Sequence, residues 1–562
     1  MKSRTSFFNL AALRKDISRF APVWALYLIG GILIGLTNIS DYNTQYGYGA
    51  RDLAQSIGPM VIVNLLYAVV TAELLFGDLF NSRLCNTLHA FPLRRESWFA
   101  THTVAGLLFS FVPNLIMSIC FLPFMGEMWY ISALWLLGMT LEYLFFFGLA
   151  AFSAMCTGNR FAMAALYALV NFLSMIAYWF VYTFYSPLLY GLHIRQDGFN
   201  LFCPTVQIFP LTELVAFQRG QIKTSHYDTH TIFLYDGLSA DWWYIVLLAV
   251  LGIGLLGAAL VLYRRRKLEC AGDFAAFSWL KPVFSVVFTL SAGAIFEMLG
   301  DTFMGVDYVF LVAGLIVGYF VVQMLLQRTV RVFRKKAFAA CAAIGGTLLL
   351  SILLTSLDPL GITRWTPKPE KVESIILSDY YHYDFNSGYN RNAQTITNPA
   401  LIGELVQIHE LLIEEGEPDY SPRHGVIHLT YRMTDGRTVE RRYYYDLTGT
   451  AGQKLKRFFG APEFILGYTD WEEYLSSVQR VYVEDMEFSG DAAKTLLAAI
   501  KADCEAGNMM QNRKHDAYYS WVEIQTGEYH TSVSIYYDCH NTIQWLKDNL
   551  TLPAPTSGAG VY

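Results

Sequence analysis

Nine apolar stretches, most of them close to the length that crosses a bilayer, constrain this chain more than any other feature. They run near 22–38, 57–76, 104–123, 131–155, 161–185, 242–263, 282–299, 306–327 and 337–356, and none carries an arginine or lysine well inside it. About 20 mostly apolar residues in helical form cross the hydrocarbon layer. The composition agrees: 54% of the 562 residues are hydrophobic and only 16% are charged, against roughly a quarter charged in soluble domains. A net charge of -6 speaks against a nucleic-acid binder, which should carry a basic stripe or an overall basic balance. Eight cysteines in so long a chain do not make a disulfide scaffold. The opening MKSRTSFFNLAALRKDISRF has no uninterrupted apolar core and does not read as a cleaved signal peptide.

Basic residues flanking membrane spans are retained in the cytoplasm, so their placement sets the orientation. With the N-terminus inside, the inner links hold Arg83, Arg94, Arg95, Arg160, Arg264, Arg265, Arg266, Lys267 and Lys281, and then the cluster from Arg328 to Lys336. The outer links hold only Arg51, Arg195, Arg219 and Lys223. The expectation is N-in, C-out, with the long C-terminal segment outside.

That orientation puts NSRLCNTLHAFPLRRESWF, residues 81–99, in the cytoplasm between the second and third spans. Leu84, Leu88 and Phe91 fall on one face of a short helix and Pro92 stops it. Arg94, Arg95 and Glu96 follow as a charged cluster. Two readings are open: a solvated loop that only fixes topology, or an element that docks a cytoplasmic partner.

The pattern "short helix, Pro, one residue, Arg-Arg-Glu" in His89-Ala90-Phe91-Pro92-Leu93-Arg94-Arg95-Glu96 resembles the coupling helix of ABC-2-type transporter permeases. THTVAGLLFSFVPNLIMS resembles the third span of bacterial permeases of this group, and the basic link LYRRRKLECAGDFAAFSWLKPVF is similar to theirs. Residues 1–264 would then be a six-span core, opened by SFFNLAALRKDISRF as an in-plane helix and carrying an outer loop at 186–241. In that loop LFCPTVQIFPLTELVAF is apolar enough to dip into the outer leaflet, as extra helices do in the family. Residues 265–357 would add three spans to the basic unit.

The resemblance implies the permease subunit of an exporter in the plasma membrane of a bacterium. It would work as a homo- or heterodimer, in contact with membrane lipid and with a separate cytoplasmic ABC ATPase that binds ATP and magnesium. Leu88, Phe91 and Pro92 would seat that ATPase, and Arg94, Arg95 and Glu96 would make charged contacts. The chain is not expected to hydrolyse ATP: the phosphate-binding loop needs Gly-x4-Gly-Lys-Ser/Thr, and GTAGQKLKR lacks both the spacing and the hydroxyl.

From Asp358 the chain turns charged and Tyr-rich. Two halves, about 371–460 and 480–550, each read strand, helix, β-hairpin, helix. Ile402, Leu405, Ile408 and Leu412 mark one helix, and Ala493, Leu496, Leu497 and Ile500 its counterpart. Turns at Thr434-Asp435-Gly436 and Thr526-Gly527 mark the hairpins. Asn398-Pro399 and Ser489-Gly490-Asp491 read as helix starts. The fold class expected is a polytopic α-helical membrane protein of about nine spans followed by an extracytoplasmic α+β domain, 358–562, with an internal duplication.

Glu142 and Glu73 sit within apolar runs, where an ionisable side chain is a functional candidate because its burial is expensive. Glu73 lies close enough to the inner end of its span to reach the interface. Asn64, Asn114 and Asn171 suit hydrogen bonds between helices. His226, Asp228 and His230 have a metal-like spacing in a flexible outer loop, and His424 and His428 share one strand face some distance apart. No metal site is expected from either group. A disulfide between Cys504 and Cys539 is left open by their spacing. No Gly-x-Ser-x-Gly, His-Glu-x-x-His or other nucleophile arrangement is present. The alternative to a permease is a sensor or scaffold whose outer domain binds a ligand or envelope component without transport.

Overall fold

In a computed structural model of the protein, the described residues are 8–39, 46–90, 94–195, 197–208, 215–223, 229–239, 241–304, 307–381, 394–418, 424–459, 480–483, 486–506, 508, 518–526, 529–536 and 538–549. The chain divides into two compact units: Met1–Val181 with Arg195–Leu350, and Tyr182–Ile194 with Ser351–Tyr562.

Among the described residues, nine helices are long and apolar enough to cross a membrane: Ala21–Asn38, Ile57–Leu75, Arg95–Phe124, Tyr130–Cys156, Arg160–Tyr185, Trp242–Arg265, Leu280–Gly300, Val309–Gln327 and Lys335–Ser356. This is compatible with a polytopic membrane protein. Eight of the nine follow the apolar runs to within a few residues. The third begins well upstream of its run, because Ser97, Thr101 and His102 are buried against the protein and not left in a polar link. A helix Leu10–Arg19 precedes the first span, capped by the Asn9 carboxamide, which accepts from the amides of Ala11 and Ala12. Its Asp16 carboxylate lies 2.9 Å from His102 Nδ1, and the Asn9 amide donates to Thr101 Oγ1 at 3.2 Å, so this helix is fastened to the start of the third span.

The core of the first unit is aromatic and small-residue rich, with Trp135, Tyr143, Phe121, Phe146 and Phe147 fully buried. The fourth and sixth spans cross where Gly148 meets Gly252: a Cβ on either would strike the other helix's backbone. Such small-residue contacts let helices associate by close packing where lipid offers no hydrophobic driving force. Leu26, Ile29 and Leu33 on the first span, and Leu349, Leu350, Leu353 and Leu354 on the ninth, are exposed and form apolar faces suited to lipid.

Within 186–241 the stretch 201–217 is apolar enough to dip into the outer leaflet, and its residues 209–214 lie outside the described residues. The described residues form two short helices, Asp197–Asn200 and Pro204–Ile208, and an antiparallel hairpin of β1 (Val215–Lys223) and β2 (Thr229–Leu238). The β-branched and aromatic residues of THTIFLYDGL suit a strand, and the prolines at 204 and 210 interrupt any longer helix.

The second unit repeats one arrangement twice. Strands β3 (Val372–Tyr381), β4 (Gln394–Ile396), β5 (His424–Met433) and β6 (Thr438–Asp446) form an antiparallel sheet of order β4-β3-β5-β6. Strands β7 (Arg480–Val483), β8 (Met486–Phe488), β9 (Tyr518–Thr526) and β10 (Tyr529–Tyr536) repeat that order as β8-β7-β9-β10. Helices Pro399–Glu415 and Thr450–Phe459 belong to the first sheet's core, and Asp491–Glu505 and His540–Asn549 to the second's. In each repeat an acid at the end of the first helix caps the second helix. Glu415 accepts from the Ala451 amide at 3.0 Å, and Asp503 from the Thr542 amide at 2.7 Å. The short strands β4 and β8 go beyond the strand–helix–hairpin–helix pattern of the sequence. Cys504 and Cys539 lie in the second core as thiols.

Candidate functional site

Two constructions in the first unit bring the sequence candidates together. The first is a buried polar cluster shared by the first four spans. Asn64 Nδ2 donates to Glu142 Oε2 at 3.0 Å. The Tyr27 hydroxyl lies 3.1 Å from Asn64 Oδ1 and 2.9 Å from Asn114 Oδ1, so its single proton serves one of them at a time. Asn114 Nδ2 donates to Ser110 Oγ at 3.0 Å. Tyr27 stacks on Tyr67 with ring centroids 4.0 Å apart, and the Tyr67 hydroxyl donates to the Phe109 carbonyl. Glu142, Asn64, Asn114 and Ser110 are fully buried. Each polar group here must find its partner inside the protein, because an unpaired one in a water-free interior is expensive. Glu142 Oε1 is buried with no hydrogen-bond partner, which leaves one carboxyl oxygen open to a proton or a passing polar group.

Glu73 belongs elsewhere. It sits at the end of the second span, 3.7 Å from the Arg160 guanidinium and partly exposed. Asn171, expected to bond between helices, donates to Thr205 Oγ1 on the short helix Pro204–Ile208.

The second construction is a junction around Arg266, just past the sixth span. Its guanidinium donates to the carbonyls of Ala154 (2.6 Å) and Met155 (3.3 Å) at the end of the fourth span, and to the Leu79 carbonyl (3.1 Å). The last carbonyls of a helix have no partner within it, and a cation there also favours the helix dipole. Arg95 Nη1 donates to the Arg266 carbonyl at 3.1 Å, and Glu96 pairs with Arg264 at 3.1 Å. Two of the three residues of the charged cluster are therefore engaged within the chain, whereas Arg94 is exposed. Leu88 lies on the helix Ser82–Ala90. Phe91 and Pro92 lie outside the described residues, as do His226 and Asp228.

Beside that helix a groove of about 760 Å³ is lined by Leu84, Asn81, Phe161, Met324, Arg160 and Arg328, among others. Leu84 and Phe161 are 49% and 65% exposed. Arg328 pairs with Asp273 at 2.8 Å. Sequence reasoning missed Arg266 and this groove. The run of basic residues at 264–267 was visible, but nothing in it marks which arginine turns inward.

In the second unit His409 is buried between two tyrosine hydroxyls, Tyr443 at 2.7 Å and Tyr431 at 2.9 Å. Burial, with the nearby Arg441 charge adding to it, pushes the His409 imidazole down to about 3, so it is a neutral structural bridge. His428 Nε2 lies 3.8 Å from Glu440 Oε2, a neighbour that its spacing from His424 does not suggest.

No family model, curated protein or solved structure matches the chain.

Proposed function

We propose that the chain is the membrane-spanning permease subunit of an ABC transporter, an exporter, driven by a separate cytoplasmic ATPase that binds ATP and magnesium. In this reading the N-terminus is inside, the α+β unit is outside, and two permease chains work together in the plasma membrane of a bacterium. The observation that carries it is the groove beside the helix Ser82–Ala90. It presents exposed Leu84 and Phe161 with Arg160 among its walls, the mixture of apolar anchors and charge that a docking partner uses. In sequence, the helix beside it is followed closely by the Arg-Arg-Glu segment on which the family resemblance rests.

The Arg266 junction supplies a route for the stroke. Leu79 is in the turn Gly77–Phe80 that leads into the docking helix, and one guanidinium ties it to the end of the fourth span. Arg95 and Glu96 tie the start of the third span to the end of the sixth. A push on the docking helix is thereby delivered to several spans as a rigid-body displacement.

The test is a pull-down of the tagged chain from its native membranes in mild detergent. A Walker-motif ATPase should accompany it, and Arg94→Glu with Leu84→Asp should release that ATPase while leaving the melting temperature unchanged. Absence of any ATPase after cross-linking, or unchanged association in the double variant, overturns the proposal.

A second reading, sensing or scaffolding without transport, is favoured by the two complete sheet-and-helix cores of the second unit. Ligand-stimulated ATPase activity with no movement of the ligand would distinguish it.

A further inference from the structure

On the first sheet of the second unit, one segment from the far side of the sequence joins the strands. Leu192 forms an antiparallel bridge with Arg441 of β6, and the Arg442 amide donates to the Gly191 carbonyl at 3.0 Å. The Tyr190 hydroxyl donates to the Tyr444 carbonyl at 2.7 Å, and its ring packs edge-on against Tyr443. Gly191 has φ +82°, and a Cβ there would fall inside the Tyr443 ring, so the close approach needs glycine. In this register the pair that follows Leu192 and Arg441 is His193 and Glu440.

The third member arrives from β5. Glu440 opposes Thr430 and His428 opposes Arg442, which makes Glu440 and His428 diagonal neighbours on one sheet face, within reach for long side chains. Alternation puts them on the face opposite Ile427, Leu429 and Tyr443, which are buried in the core. The His193 and His428 rings have centroids 4.7 Å apart at 58°. Their nitrogens and a Glu440 oxygen all lie within 4.8 Å of one another. The side chains of His428 and Glu440 are only 11% and 14% exposed. Arg442, the cation nearest in register, holds its guanidinium over the Tyr444 ring at 5.5 Å.

From this geometry we propose that His193, His428 and Glu440 bind a divalent transition-metal ion of the zinc type, with a fourth position open to water or a ligand donor. Two imidazoles and one carboxylate are a zinc donor set, with metal–ligand distances of about 2.0–2.2 Å. Donor atoms around such an ion stand roughly 3–3.5 Å apart by that geometry, so the present separations close with side-chain rotations alone. The 3.8 Å between His428 and Glu440 exceeds a direct hydrogen bond and suits two donors facing a common ion. The two imidazoles favour zinc, copper or nickel over calcium or magnesium. The ion clips the segment that follows the fifth span to the sheet. This inference concerns the second unit alone and does not rest on the permease reading.

The test uses the full-length chain, without a histidine tag, purified in detergent and treated with chelator. Equilibrium dialysis against zinc should give one ion per chain, and added zinc should raise the melting temperature by mass action. His193→Gln and Glu440→Gln should each weaken zinc binding by at least about 100-fold, since even outer-shell changes cost about 10–100-fold. His226→Ala with His230→Ala should leave it unchanged. Cobalt in place of zinc should give the strong visible absorption of a four- or five-coordinate site, a readout independent of stability. Less than one zinc per chain, zinc retained in both His193→Gln and Glu440→Gln, or loss in the His226/His230 variant would each overturn the proposal. So would a weak octahedral cobalt spectrum.

Discussion

The Arg266 guanidinium donates to the Ala154 carbonyl at 2.6 Å, so a residue just beyond the sixth span closes the end of the fourth. The same side chain reaches Leu79, and it is 5% exposed. Arg266→Met keeps the apolar stem but leaves these carbonyls without their donor. We expect a loss of about 2–3 kcal/mol, the range for a charged hydrogen-bond donor, read as a lower melting temperature in detergent. Arg266→Lys should fall between, because an ammonium cannot fork to both sites. A melt unchanged in the methionine variant would show that the carbonyls are satisfied by other donors.

Glu142 anchors the polar cluster by accepting from Asn64. Glu142→Ala strands that buried amide and should destabilise by about 1–3 kcal/mol. Glu142→Gln keeps the shape and the acceptor, and should fold as well as the wild type. Thermal unfolding of the two variants checks this. If glutamine destabilises as much as alanine, the carboxylate charge itself holds the cluster together.

Acid should loosen the second unit. His409 is held neutral, its pKa lowered from 6.5 to about 3 by burial among Tyr431 and Tyr443, helped by Arg441. Because the unfolded imidazole takes a proton first, the stability it contributes is intact above pH 6.5. It falls as the pH drops from there toward about 3, by about 1.4 kcal/mol per pH unit. Asp503 acts in the same direction at lower pH. Burial alone would raise its pKa, but hydrogen bonds from Thr542, Asn508 and Asn541 outweigh that and hold it below 3.8. Limited proteolysis of the full chain across this range should show a slope below pH 6.5 that His409→Gln flattens. An identical slope in the variant would rule out His409 as its source.

Gly191→Ala should detach the segment 190–194 from β6. The alanine would need a left-handed φ, costing about 1–3 kcal/mol, and would collide with Tyr443. Hydrogen exchange at the Arg442 amide, which donates to Gly191, should speed up. Gly416→Ala makes a fair control, since Gly416 also has a positive φ (+75°) but a Cβ there meets nothing nearby. Equal protection at Arg442 in both variants would disprove the contact.

The nine long helices and the helix-and-hairpin order of the second unit were legible in the chain, for a physical reason. Bilayer thickness fixes the length of an apolar run, and the 3.6- and 2-residue periods are local properties. Asn398, read as a helix start, does cap Pro399–Glu415 by accepting from Ala400. The helix Ser82–Ala90 also lies where Leu84 and Pro92 put it. The strand Gln394–Ile396 is not legible because three residues are too few to show a period, and the hairpin of β1 and β2 because neither strand alternates cleanly.

Tertiary structure alone decided which polar residues meet. Arg94, Arg95 and Glu96 look equivalent in sequence, yet two of them face the chain's own basic link while the third faces out. His428 drew attention for its spacing from His424, but its neighbours are Glu440, one strand over, and His193, from a distant connection. Sequence determined where the chain is apolar and with what period, because those are sums over neighbouring residues. Which arginine caps which helix, and which histidine meets which acid, depends on contacts between segments far apart in the chain, and only the packed structure brings those together.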